Sequence, residues 1–121
     1  MGEKRLYALR GATQCLNTED DIRKNVLEMY DELLAKNKLE EAEIVSVFFS
    51  VTKDLDKINP AAALRKEGRA GKTALFVSQE AQFSACLERV IRVLIHCYLD
   101  SAIKPIHVYH NGAEVLRPDR D

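Results

Sequence analysis

The sequence predicts an α/β (α+β) fold: a mixed β-sheet packed by one main amphipathic helix. Two observations carry most of that expectation. Ile22, Val26, Met29 and Leu33 recur at spacings of four, three and four, the signature of one apolar helix face. The other apolar runs are short and rich in β-branched or aromatic residues, as strands are.

Taken in order, "KRLYALRGAT" (4–13) reads as a first strand, a short apolar run closed by Gly11. "NTEDDI" then starts the helix, with Thr18 as N-cap and Asp21 three residues on, close to a capping box. The helix is predicted to end near Asn37, with Asp20–Lys24 and Glu32–Lys36 as favourable i,i+4 pairs. "EIVSVFFSV" (43–51) is a buried strand. "NPAAALRKEG" offers Asn59 as N-cap, Pro60 at the first helical position and Gly68 as terminator of a one- to two-turn helix. "KTALFVS" (72–78) is a third strand, and "QFSACLE" is an ambiguous segment that could form a helical turn. "RVIRVLIHCY" (89–98) fits a helical face through Leu87, Ile91, Leu94 and Tyr98. The strand reading is favoured, because Ile91, Val93, Ile95 and Cys97 alternate with Arg92, Leu94, His96 and Tyr98. "IHVYHNGAEVLR" completes the chain as a hairpin around a two-residue type I′ turn at Asn111-Gly112.

At 121 residues the chain is expected to be a single domain, 1–121, with no repeat or linker. A formal net charge of −1 argues against a general nucleic-acid binder, so any positive site must be local. Cys15, Cys86 and Cys97 are odd in number and lack C-x-x-C spacing, which predicts reduced thiols and a cytoplasmic protein. No apolar stretch approaches a bilayer span, so no membrane partner is expected.

Several apparent motifs do not survive inspection. "GKT" (71–73) resembles the end of a phosphate-binding loop, but Lys66 stands where a glycine is needed and a strand follows. His107 and His110 have no companion ligand at metal spacing and read as surface residues of the hairpin, so no metal is expected. "RKEGRAGK" reads as a solvated loop. No nucleophile–base arrangement has a local signature. Arg92 is the outstanding oddity, since a guanidinium keeps its charge and is expensive to bury alone among Val90, Ile91, Val93 and Leu94. A pair with Glu80 or Glu88 would satisfy it. Arg10, Arg65 and Arg117, taken singly, read as surface or salt-bridged residues.

The order of these residues resembles the small monofunctional α/β class of chorismate mutases. "LRGAT" (9–13) matches that family's opening motif and carries Arg10. "SVTKDL" (50–55) followed by "NPAAALR" (59–65) carries Arg65. "QE" (79–80) falls at the family's glutamate, "VIRVL" (90–94) at its central arginine, and "HVY" with "VLRPD" (107–119) at its tyrosine and C-terminal arginine. The resemblance implies a Bacillus-type fold assembled as a homotrimer around a pseudo-α/β-barrel, with active sites between subunits. It also implies an isomerase converting chorismate to prephenate, on the route to phenylalanine and tyrosine, with no cofactor.

On the same basis Arg92, Glu80 and Arg10 are the catalytic residues. Tyr109 joins Arg10 in holding the side-chain carboxylate, Glu80 accepts from the ring hydroxyl, and Arg92 faces the breaking ether oxygen. Arg65 from a neighbouring subunit and Arg117 attract the ring carboxylate. Asn59, Ala61, Val77 and Leu116 line the substrate. The chain departs from the family's pattern at Asn59 (usually aromatic), Ala62 (often lysine) and Val77 (commonly cysteine or small and polar). Those departures motivate an alternative, a non-catalytic trimeric binding protein for a small carboxylate. A structural trimer, or the imine-deaminase architecture that shares a carboxylate-binding arginine, ranks lower.

Overall fold

The computed structural model describes residues 3–84 and 86–116. Its strands are β1 (Lys4–Gln14), β2 (Ile44–Val51), β3 (Ala74–Gln79), β4 (Val90–Asp100) and β5 (Val108–His110). Two helices, α1 (Glu19–Lys36) and α2 (Pro60–Lys66), and 3₁₀ turns at Glu41–Glu43 and Ala113–Leu116 complete the order. The sheet is mixed, in the order β3-β2-β4-β1-β5. β4 runs antiparallel to both β1 and β2, while β3 and β5 add in parallel at the edges.

The helix forms where its caps and periodicity place it. Thr18 Oγ1 accepts from the Asp21 N–H at 3.1 Å, and the Asp21 carboxylate takes the Leu16 N–H at 2.6 Å. Ile22, Val26, Met29 and Leu33 are all fully buried against the sheet. Lys36 pairs with Glu32 as expected, but Asp20 pairs with Arg23 rather than Lys24, the shorter i,i+3 reach winning. At the C-cap, Asn37 does more than end the helix. Its amide takes the Ile106 N–H and donates to the Ile106 carbonyl, which ties the approach to β5 onto α1.

Gly11 does not close β1, which runs on to Gln14. A Cβ at this glycine would lie 2.9 Å from Val93 Cγ1, 3.0 Å from Leu33 Cδ1 and 3.2 Å from Met29 Cγ. The missing side chain therefore sets how closely α1 approaches the sheet.

The period-two pleat gives the sheet two unlike faces. Leu9, Val47, Phe49, Ile91, Val93 and Ile95 face the helices and form the core. The opposite face is uncovered in the chain and exposes Leu6, Phe48, Phe76 and Tyr98. Phe48 and Phe76 meet edge to face at 5.5 Å there, and Phe48 also abuts His96. Hiding each of these rings would contribute about 2 kcal/mol, a strong incentive for another surface to cover them.

Three further expectations are corrected. The described part of the last segment, 106–116, is not a hairpin: β5 pairs in parallel with β1, and after Asn111-Gly112 the chain winds into the turn at Ala113–Leu116. Both residues do take the positive φ of a type I′ turn, 57° and 102°. However, Asn111 Nδ2 donates to Asn25 Oδ1 at 2.6 Å and Thr13 Oγ1 at 3.1 Å, pinning the turn onto α1 and β1. The "QFSACLE" segment holds no helix among its described residues. "RKEGRAGK" is only partly solvated, since Arg69 pairs with Asp31 and Ala70 is buried.

Filling the Gly11 gap should be costly. Gly11→Ala is expected to lower stability by about 1–3 kcal/mol, read as a lower Tm, because Val93 is stiff and cannot swing aside. The thiols offer a second check. Cys15 and Cys97 are buried, and burial pushes each pKa up to about 11, whereas Cys86 is exposed. A thiol reagent near neutral pH should label Cys86 alone in the native protein, and all three cysteines in denaturant. Rapid native labelling of Cys15 or Cys97 would contradict the packing.

Candidate active site

A cleft of about 330 Å³ opens on the uncovered face, with Arg10, Ser50, Arg92, Tyr109 and Leu116 among its lining residues. Register explains why these distant residues meet. Ala12 of β1 lies opposite Arg92 of β4 on one side and Tyr109 of β5 on the other. Ser50 of β2 is the cross-strand partner of Arg92. Arg10, two residues before Ala12, shares that face, and its backbone N–H donates to His107 Nδ1 at 3.0 Å.

Arg92 is not buried by its own chain, contrary to expectation. Its side chain is 45% exposed, because the pleat points it away from the core that its apolar neighbours build. It pairs with Glu80, Nε to Oε1 at 3.0 Å, and Glu80 is the more enclosed partner at 18% exposed. Glu88 pairs instead with Arg89. Glu80 sits just past β3, where its N–H donates to the Val51 carbonyl at 2.8 Å. Ser50 Oγ donates to the same Oε1 at 2.9 Å. The cleft thus combines permanent cations, a phenol, two serine hydroxyls and apolar walls, while Glu80 lines a neighbouring depression with Thr52, Asp54 and Cys86 and meets the cleft through Arg92 and Ser50.

Four other expected residues lie elsewhere in the chain. Asn59, Ala61, Arg65 and Val77 line a shallower depression with Ala62, Leu75 and Phe76, between α2 and β3. Asn59 caps α2, its Oδ1 accepting from the N–H groups of Ala61 at 2.8 Å and Ala62 at 3.2 Å. Arg65 is exposed, steadied by one bond from Nη2 to the Thr73 carbonyl at 3.1 Å. Within one chain these residues and the Arg92 cleft remain separate. Arg117 lies outside the described residues. Ser50 and Phe48 are among the lining residues that sequence reasoning missed. Their alternation along β2, in phase with Arg92 across the sheet, is the signal that points to them.

The edge that carries Tyr109 is anchored by a side-chain contact to α1 as well. His110 Nε2 lies 2.7 Å from Glu32 Oε1, so this histidine is partnered rather than a loose surface group. Glu32 is held below the ordinary glutamate range, first by its hydrogen bond from Lys36 and then by His110. Among the described residues no three His, Cys, Asp or Glu side chains gather where a metal could be held. No helix among them is long and apolar enough to cross a membrane.

Comparison with known proteins finds relatives that match nearly the whole chain. The chain is 29% identical over 116 residues to chorismate mutase AroH of Bacillus subtilis (strain 168), covering 94% of this chain and 91% of the relative. It is 33% identical over 117 residues to chorismate mutase AroH of Thermus thermophilus, covering 92% and 95%. Among solved structures, the chorismate mutase from Clostridium thermocellum superposes with a TM-score of 0.82 at 41% identity, over 90% of this chain and 98% of that one. The family model "Chorismate mutase type I" matches residues 6–120, and the chain belongs to that family.

Proposed function

We propose that Arg92, Glu80, Arg10 and Tyr109 form the part of the active site that one subunit supplies to this chorismate mutase. The observation that carries this reading is the Arg92–Glu80 pair at the margin of a cleft that Arg92 lines together with Arg10 and Tyr109. The enzyme isomerises chorismate to prephenate, a pericyclic step in which a C–O bond breaks as a C–C bond forms. No proton transfer or cofactor is required. The protein instead holds the substrate in its compact, reactive shape and meets charge as it develops.

The breaking ether oxygen gains negative charge only toward the transition state, so a fixed cation there acts differentially. Arg92 fills that role. Its guanidinium stays charged at any working pH, and Glu80 holds its Nε edge in place. Glu80 also accepts from the ring hydroxyl. Arg10 and Tyr109 hold the side-chain carboxylate, where a planar guanidinium gives two-point recognition. Leu116 closes the cleft beside them.

Arg65, with Asn59, Ala61 and Val77, reaches a neighbour's cleft rather than its own, and Arg117 draws the ring carboxylate. Two facts support a homotrimer with shared sites. The expected residues divide between two depressions of one chain, and Phe48, Phe76 and Tyr98 leave an aromatic face uncovered. The 1–121 unit serves as a single domain, and three free thiols suit a cytoplasmic setting. Family membership weighs against a non-catalytic carboxylate binder, and Asn59, one reason for considering it, has its own task as a helix cap.

Arg92→Ala should lower kcat about a thousandfold, the scale of losing a preorganised donor to a developing oxyanion. Following chorismate absorbance with time measures this, and near-normal turnover would remove Arg92 from the role. Shared sites make a separate prediction. Arg92→Ala and Arg65→Ala subunits, each inactive alone, should regain about a quarter of wild-type activity when refolded together as random trimers. A mixture as inactive as its parents would mean that both residues serve the same subunit's site.

A further inference from the structure

We infer that Ser50 is a positioning residue, which fixes the carboxylate of Glu80 so that its Oε2 is the oxygen offered to substrate. This deepens the reading above and rests on it. Glu80 lies one residue beyond β3, so its backbone is held by the bond to the Val51 carbonyl while its side chain has left the sheet register. A glutamate in that situation has three torsions to freeze before it can act as a fixed acceptor. Arg92 supplies attraction, but an ion pair alone is weakly directional.

Ser50 supplies direction. It is half-buried on β2, directly across from Arg92 and beside Ser78 of β3, and its hydroxyl donates to Glu80 Oε1 at 2.9 Å. Both contacts, from Ser50 and from Arg92, fall on Oε1. Among the described residues no hydrogen bond reaches Oε2, so the two contacts leave that oxygen as the available acceptor. Hydrogen bonds to a charged group are among the stronger ones, so losing this one should register in catalysis. A serine is also a poor filler for a strand flanked by Phe48 and Phe49, where packing alone favours a branched or aromatic residue.

The test is a double-mutant cycle on the full chain with chorismate, using Ser50→Ala, Ser50→Thr, Glu80→Ala and Ser50→Ala/Glu80→Ala. Thermal melts and sedimentation would confirm that each variant is folded with the wild-type mass. Ser50→Ala should lower kcat/KM about tenfold, chiefly in kcat, and Ser50→Thr, which keeps the hydroxyl, should recover most of it. In the Glu80→Ala background Ser50→Ala should have no further effect, because nothing is left to orient. Losses that multiply across the cycle, or a Ser50→Thr variant as impaired as Ser50→Ala, would overturn the positioning role while leaving Glu80 in place. Near-normal activity of Glu80→Ala would overturn the assignment of Glu80 itself, and this inference with it. If Ser50→Ala lowers Tm without changing kcat/KM, the hydroxyl is structural only and the inference is wrong.

Discussion

One helical layer covers one face of this sheet, and most of what the molecule does follows from the face left open. The pleat obliges every strand to send alternate residues to each side. On β4, Ile91, Val93, Ile95, Cys97 and Leu99 fill the core, while Arg92, Leu94, His96 and Tyr98 must point outward. The open face therefore mixes aromatic rings, which gain from being covered, with cations, which cost heavily to bury without partners. A surface of that kind suits two occupants at once. A second copy can cover the rings, and an anionic ligand can complete the charges. The proposed shared site lies where those two demands meet.

The same arrangement resolves the energetics of Arg92. A guanidinium enclosed by its own chain would carry its full desolvation cost through folding. Here the cost is deferred, because Arg92 stays partly solvated and one carboxylate already faces it. Only ligand binding or assembly removes the remaining water. At that point a dianion supplies compensating charge, and the drier surroundings strengthen every contact to the developing oxyanion. Glu80 also softens the repulsion between Arg92 and Arg10, whose β-strands place both on one face of one cleft. A rearrangement that moves no proton needs little else from its catalyst than a fixed field and a shaped wall.

What could be read from the sequence was whatever is decided locally. The α1 helix was legible because Thr18, the acidic first turn and the buried stripe from Ile22 to Leu33 are all near neighbours. Asn59 and Pro60 announced α2 in the same way. The parity of β4 was legible too, and with it the face that Arg92 and His96 occupy. The Asn111-Gly112 turn was misread because a dipeptide fixes two backbone angles but not the direction the chain takes afterwards. That direction is set by Asn25 and Thr13, far away in sequence. Arg92 looked buried because an apolar run sums both faces of a strand, whereas burial depends on one. The separation of Arg65 from Arg92 within one chain came only from the family resemblance, since it depends on how α2 packs beside β3 rather than on local sequence.

Position 59 shows how a departure from a family pattern can be read physically rather than as loss of function. At seven residues α2 is too short to persist on its own, and most of its backbone donors lie in the first turn. Asn59 satisfies two of them, and Pro60 has no N–H to satisfy. A large aromatic side chain at position 59 would add a wall to the depression beside Ala61 and Val77 but would leave those donors to water. Arg65 depends on that choice, because its backbone is carried by α2 and its guanidinium by a single bond to the Thr73 carbonyl. An uncapped first turn would loosen the hold on Arg65. The asparagine therefore exchanges wall area in that depression for a firmer hold on the arginine.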